Sequence, residues 1–166
     1  MEKYVKVVLY TYPLLETVSE DYAEHIRNKA ILSYSNRTSA QALAEYLAAE
    51  IVEKRNLEWL KSVVEAVMER LSESEKTLLG ARYFGKRKQL RSLMEAEKAS
   101  GRTASRRQYF RMQDRLGEKV GAMLRCAGLT KDVYAKTFEK MKMFDWAKRL
   151  VEREKENTEQ ECSALA

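Results

Sequence analysis

Two stretches decide the fold expected of this chain: residues 71–85, which read LSESEKTLLGARYFG, and residues 105–116, which read SRRQYFRMQDRL. The segment 82–125 around them holds 13 Lys or Arg and four Asp or Glu residues, a net charge of +9. The rest of the chain holds 18 basic and 21 acidic residues, so the overall net charge of +6 is concentrated in this segment. A surface that binds a polyanion needs such a concentration, and we interpret the segment as a helix-turn-helix that contacts nucleic acid.

The chain contains few residues that break helices. One Pro and six Gly among 166 residues, with abundant Ala, Leu, Glu, Lys and Arg, predict an all-α protein. We expect a multi-helix bundle whose C-terminal half contains the helix-turn-helix. The 45% of hydrophobic residues are enough for one core, in one domain or in two small lobes that share it.

Three compositional features concern the compartment. No apolar run approaches the roughly 20 residues that a membrane span requires, and the first ten residues lack the features of a secretion signal. Cys126 and Cys162 lie far apart, and with the single His25 they give no metal-ligand spacing. Two thiols fit a reducing environment, so we expect a cytoplasmic protein with no membrane partner, no metal and no cofactor.

In the N-terminal helical region, residues 1–70, Pro13 predicts either a break near Thr11 to Tyr12 or a kink there, because proline removes a backbone hydrogen bond and clashes with the preceding turn. A turn is predicted at 33–38, where Ser, Asn and Thr cluster. Two helix starts are predicted from capping boxes. Thr17 with Glu20 would begin the helix after the proline, and Thr38 with Gln41 would begin the next one. A long helix over 39–70 carries a stripe that is expected to face the core: Leu43, Leu47, Ile51, Leu57, Leu60, Val63, Val64, Val67, Met68 and Leu71.

The region 71–126 is expected to form the helix-turn-helix. Ser72 with Glu75 gives a clear capping box for a helix over 73–84, which Gly85 would end. A basic segment with a thin apolar face follows at 86–100, then a turn and a helix over 105–126 that Ser105 and Gln108 could cap. On that helix an apolar stripe is predicted on one face, formed by Tyr109, Met112, Leu116, Val120 and Met123.

Two glycines, Gly117 and Gly121, lie one residue off this stripe and would permit close approach of another helix. In the last region, residues 127–166, Gly128 and Thr130 mark a stop and a start. They predict a final helix over 131–154, followed by a tail that we expect to fray.

Long polar side chains near the start of the second helix are the ones expected to reach DNA. Arginine suits guanine and the glutamine amide suits adenine, whereas contacts to phosphate position a protein without reading sequence. The candidates for contacts within the groove are Arg106, Arg107, Gln108, Arg111, Gln113 and Arg115. The candidates for phosphate contacts are Lys86, Arg87, Lys88, Arg91 and Arg102.

The two stretches also resemble a known family. Residues 71–84, from the Leu-Ser start to Arg82-Tyr83-Phe84, resemble the opening of region four of bacterial RNA polymerase sigma factors. Residues 105–116 look like the recognition helix of sigma-like proteins and phage-type transcription regulators. Residues 1–70 show no convincing sigma region two, so the resemblance points to a sigma-like regulator. It implies binding to double-stranded promoter DNA, with contact to RNA polymerase as a further expectation.

Other interpretations of the same sequence stay open. A helical protein–protein adaptor would use the apolar stripe over 51–71 or the last helix with Phe138, Phe144 and Trp146. An RNA-binding protein would use the same basic face. Alternatively, the basic residues form only the solvated surface of an ordinary helical bundle and bind nothing specific. We do not expect an enzyme, because the sequence contains no Gly-rich phosphate loop, no Cys/His pair and no metal cluster.

Overall fold

A computed structural model describes residues 1–32, 39–85 and 106–163, and within these ranges the side chains of 1–31, 39–85 and 108–156. The protein is all-helical, as predicted, and the described ranges contain no β-strand. Two short 3₁₀ turns, Tyr12–Leu14 and Lys142–Phe144, join helices in the first and last regions. The helices are α1 (Lys3–Thr11), α2 (Leu15–Leu32), α3 (Ala40–Glu69), α4 (Glu73–Tyr83), α5 (Arg106–Cys126), α6 (Lys131–Thr137) and α7 (Asp145–Ser163).

Helix α1 lies at the centre of the core. Its residues Val5, Val7, Val8 and Leu9 are all buried, so the helix is covered on more than one side, which is unusual for so short an element. The predicted break at Pro13 is confirmed: α1 ends at Thr11, and a 3₁₀ turn leads directly into α2. A helix that is apolar nearly all round must be enclosed by others, and the same hydrophobic cluster holds buried residues of α3, α4, α5, α6 and α7.

Buried side chains from all three sequence regions belong to one hydrophobic cluster. The first region contributes α1 and the C-terminal half of α3, from Leu57 to Val67. The middle region contributes Leu78, Leu79 and the face of α5, and the last region contributes Phe138 and Phe144. The regions drawn from sequence therefore share a single core.

Two of the predicted capping boxes lie at or next to a capped helix start. The capping box of α4 is confirmed, with the Ser72 hydroxyl accepting from the Glu75 backbone N–H and the Glu75 carboxylate accepting from the Ser72 N–H. The start of α3 differs by one residue from prediction, since Ser39 caps it in place of Thr38. The predicted box at Thr17 is wrong, because α2 begins at Leu15 and Thr17 lies inside the helix.

Helices α2 and α3 form an antiparallel hairpin that extends from the core. Along α3, none of the side chains before Leu57 is buried, so the predicted core-facing stripe is correct only for the second half of the helix. Leu43 and Leu47 are half-buried against α2, and Ile51 is exposed. The Tyr22 hydroxyl donates to Glu53 at 2.7 Å, which ties the two helices together through polar groups. The predicted turn at 33–38 lies outside the described residues.

The last region departs from the single helix expected over 131–154. Helix α6 ends at Thr137, and a 3₁₀ turn separates it from α7. The break places the rings of Phe138 and Phe144 together in the core, 5.8 Å apart between centroids, where one straight helix would have kept them apart. The backbone of α7 is helical as far as Ser163, over much of the tail that was expected to fray.

Candidate nucleic-acid interface

Helix α5 carries two different faces. Leu116, Val120 and Leu124 are buried against the rest of the bundle. Arg111 and Arg115, four residues apart and therefore on one side of the helix, are exposed. The separation of an anchored apolar face from a basic face is what a helix needs in order to stay attached to the protein while it enters a groove.

Ion pairs distinguish these two arginines from the other cations of the basic segment. Among the side chains that the structure describes between residues 82 and 125, Lys119 pairs with Glu75, Arg125 pairs with Glu2, and Arg82 lies 3.9 Å from Glu154. In the same described set, Arg111 and Arg115 form no ion pair. The unpaired arginines of the described basic segment are therefore Arg111 and Arg115 on α5.

Two glycines bring α5 against α1. A Cβ atom at Gly117 would lie 3.2 Å from the Met1 side chain, and one at Gly121 would lie 3.8 Å from Val5. The predicted close approach is confirmed at Gly117, which lies against Met1 just before α1, whereas at Gly121 an added Cβ would make only ordinary contacts. The close contact fixes the axis of α5 from one side.

Gln113 lies in the core rather than on the basic face. Its side chain is 5% exposed, and its amide nitrogen donates to the Leu78 carbonyl at 3.0 Å and to the Tyr109 hydroxyl at 3.1 Å. The side chain that was predicted to contact DNA is thus occupied in joining α5 to α4. Met112 of the predicted apolar stripe is exposed instead, because the packed face is centred on Gln113, Leu116 and Val120.

A second connection between α4 and α5 runs through Glu75. The Lys119 ammonium contacts both carboxylate oxygens, at 2.8 and 3.0 Å, while the same carboxylate caps α4 through Ser72. The hydrogen bond from Lys119 and then that from the Ser72 backbone hold the pKa of Glu75 below its ordinary value. Glu75 stays ionised to lower pH and so serves both as a cap and as an anchor for α5.

The other end of α4 is anchored through aromatic packing. The ring of Tyr83 meets that of Tyr10 edge to face, with centroids 4.8 Å apart. Burial raises the pKa of Tyr83 to about 12, so this hydroxyl is protonated at neutral pH. Gly85 follows with φ +70, as a glycine that terminates a helix requires.

Phe110 is a further candidate residue of this face, which the sequence interpretation did not single out. Its ring is 49% exposed beside Arg111 and meets the Tyr109 ring edge to face, 5.7 Å between centroids. The sequence did contain a signal for its exposure, since Phe110 does not fall on the predicted apolar stripe of α5. An exposed aromatic ring at the edge of a basic face can contact a thymine methyl group or stack on an unpaired base.

Several predicted contact residues cannot be placed from the structure. Arg106 and Arg107 lie in the first turn of α5, but their side chains are outside the described set. Gln108 is described and exposed. The predicted turn at 100–103 and the Ser105 cap also lie outside the described residues. So do the predicted phosphate contacts, which are Lys86, Arg87, Lys88, Arg91 and Arg102.

A groove of about 460 Å³ lies between α1, α6 and α7. Its lining includes Tyr4, Val7 and Tyr134, together with lysine and glutamate side chains. The Lys3 ammonium of this lining is already paired with Glu152 at 2.7 Å. Within the described residues no group of three or more His, Cys, Asp or Glu side chains is placed to bind a metal ion.

None of the helices in the described ranges combines the length and the low polarity that crossing a bilayer requires. Comparisons with protein-family models, with curated proteins and with solved structures give no match to this chain. The chemistry of the site therefore rests on the chain's own residues.

Proposed function

We propose that this chain is a DNA-binding transcription regulator of the sigma-like type that presents the N-terminal half of α5 to duplex DNA. The observation that carries the proposal is the exposed pair Arg111 and Arg115, which form no ion pair within the described residues while the neighbouring Lys119 and Arg125 are neutralised. An arginine that is not paired with a carboxylate keeps its donors available for a phosphate or a guanine edge.

The anchoring of α5 supports the same proposal. The major groove is about 12 Å wide and accepts one helix, provided that the helix is held rigidly by the rest of the protein. Gln113 and Gly117 attach α5 on the side away from the arginines, and Lys119, four residues after Arg115, attaches it to Glu75 from the arginine side. In this arrangement the backbone of α5 positions Arg106 and Arg107 one turn before Arg111, at the end where base contacts are made.

The resemblance of residues 71–84 to sigma region four adds promoter DNA as the target and RNA polymerase as a second partner. The basic residues of 86–102 would then contact phosphates. Binding to the same face by structured RNA is the nearest competing function, and a competition between duplex DNA and RNA hairpins of equal length separates the two.

The experiment is a titration of labelled duplex DNA by fluorescence anisotropy at several salt concentrations. The variant Arg111→Ala/Arg115→Ala should bind more weakly, and its log–log salt slope should be reduced by about one per lost phosphate contact. The matched control is Arg149→Ala/Arg153→Ala on α7, which removes two exposed arginines at the same spacing. Equal losses in the two variants, or no binding by the unmodified protein at low salt, would contradict the proposal.

The adaptor function keeps one specific observation in its favour. The structure buries Phe138 and Phe144 completely, together with most of the stripe over 57–71, so these cannot receive a partner. Trp146 is 40% exposed, and on α3 Ile51 and Val52 are 39% and 55% exposed. An adaptor would therefore use the outer side of the α2–α3 hairpin.

A further inference from the structure

The outer side of α3 carries an unbroken repeat of exposed residues. Successive steps of four, three, four, three and four residues place them along one line of the helix, which is the spacing of a coiled-coil seam. Helix α2 packs on the opposite side of α3, where His25 and Tyr22 bond to Glu50 and Glu53. The residues of this seam, all exposed, are Gln41, Glu45, Ala48, Val52, Arg55 and Trp59.

The centre of the seam is small and apolar. Ala48 and Val52 are its middle positions, with Ala44 and Ile51 exposed beside them. Alanine at a helix contact allows two backbones to approach closely, and 55% exposure of Val52 leaves apolar surface for a second helix to cover. A face of this kind on a projecting hairpin lacks the layer that normally completes a bundle.

The charges at the two ends of the seam are opposite. Glu45 lies on the side of the hairpin tip, and its carboxylate accepts only the Gln41 amide of its own helix, at 3.1 Å, among the interactions of the described residues. Arg55 lies on the side of the core and forms no ion pair with any described residue. A seam with an acid at one end and a base at the other is complementary to a copy of itself running in the opposite direction.

We propose that two copies of this chain associate through α3, packed antiparallel about a twofold axis near the middle of the seam. In antiparallel coiled coils each a position faces a d position of the other helix, and this seam satisfies that rule along its whole length. Glu45 faces Arg55 of the second copy, Ala48 faces Val52, and Gln41 faces Trp59. The parallel alternative places Glu45 against Glu45 and Arg55 against Arg55.

Trp59 marks the end of the seam nearest the core. Its ring is stacked on Phe138, with 6° between the ring planes and 6.2 Å between centroids, so its orientation is fixed by the core of its own subunit. The remaining 38% of its surface faces outward, where the second copy would cover it. Only two layers of this seam are apolar, so the dimer is a weak one, and the charged layers fix its direction and register.

The experiment uses sedimentation velocity on the full chain over a wide range of protein concentration. The unmodified protein should pass from monomer to dimer. Glu45→Arg and Arg55→Glu, each made alone, should raise the dimer dissociation constant by about tenfold or more, since two attractive pairs become repulsive. The combined variant E45R/R55E has the original net charge and should restore the dimer.

The matched control is Glu69→Arg and Arg70→Glu, which reverse two exposed charges at the end of the same helix outside the seam. These controls should leave the dissociation constant unchanged. Circular dichroism of every variant checks that the helices are intact. A protein that stays monomeric at all concentrations overturns the proposal, and so does a combined variant that is no better than the single ones.

Discussion

The side-chain amide of Gln113 donates a hydrogen bond to the backbone carbonyl of Leu78 at 3.0 Å, and both residues are buried. This bond joins the helix that carries the proposed DNA-binding arginines to the helix with the clearest cap in the chain. A buried polar group that loses its partner keeps its desolvation cost, so the bond has consequences for stability.

Replacement of Gln113 by Ala should lower the free energy of unfolding by about 1–3 kcal/mol, because packing is lost and two acceptors lose their donor. Urea denaturation followed by circular dichroism measures the change. Glu118→Ala, an exposed polar residue of the same helix, is the control and should cost less than about 0.5 kcal/mol. If the two variants proved equally stable, Gln113 would not be an anchor of α5.

Replacement by alanine should change the stability of the protein in opposite directions at Gly121 and at Gly128. At Gly121 a new Cβ would make only ordinary contacts, at 3.7 and 3.8 Å, so Gly121→Ala should stabilise the protein by up to about 1 kcal/mol through helix propensity. Gly128 has φ +93 and ends α5, where the Leu129 N–H donates to the Leu124 carbonyl at 2.9 Å. Gly128→Ala should destabilise by about 1–2 kcal/mol. Thermal unfolding of the two variants tests both signs.

The Glu75–Lys119 pair predicts how stability depends on pH. Because the pKa of Glu75 is lower in the folded than in the unfolded protein, the unfolded state binds this proton first as the pH falls. The contribution of Glu75 is therefore complete above its ordinary pKa of 4.5 and is lost as the pH falls through the lower folded value. Urea midpoints of Glu75→Gln should fall less steeply below pH 4.5 than those of the unmodified protein.

Parallel curves for Glu75→Gln and the unmodified protein would show that the pair contributes nothing to this dependence. The comparison variant is Glu69→Gln, an exposed carboxylate at the end of α3 that forms no ion pair in the described residues. Its curve should follow that of the unmodified protein.

Phe110 should contribute to DNA binding and little to stability. Covering the exposed half of its ring is worth about 1 kcal/mol, so Phe110→Ala should weaken binding to duplex DNA by about fivefold. Phe110→Leu keeps apolar contact but not stacking, so it should bind nearly as well if the ring touches a thymine methyl group. An unchanged affinity of Phe110→Ala would place the ring outside the interface.

The sequence by itself determined the features that depend on a few neighbouring residues. These include the all-helical class, the Ser72–Glu75 capping box, the break at Pro13 and the stop and start at Gly128 and Thr130. Each arises from a side chain or a backbone angle that acts within one turn of helix, so its pattern can be recognised without knowledge of the rest of the chain.

Only the tertiary structure decided which side of each helix is covered and where a longer helix must break. Gln113 was expected to be exposed and is buried, whereas Met112 was expected to be buried and is exposed. The reason is that the faces of α1 and α4 that meet α5 come from distant parts of the sequence. On α3 two residues of the same predicted stripe differ in burial: Leu57 is buried in the core and Ile51 is exposed to solvent, because the bundle ends between them. Periodicity gives the position of a residue around its helix, whereas burial depends on which other elements pack there.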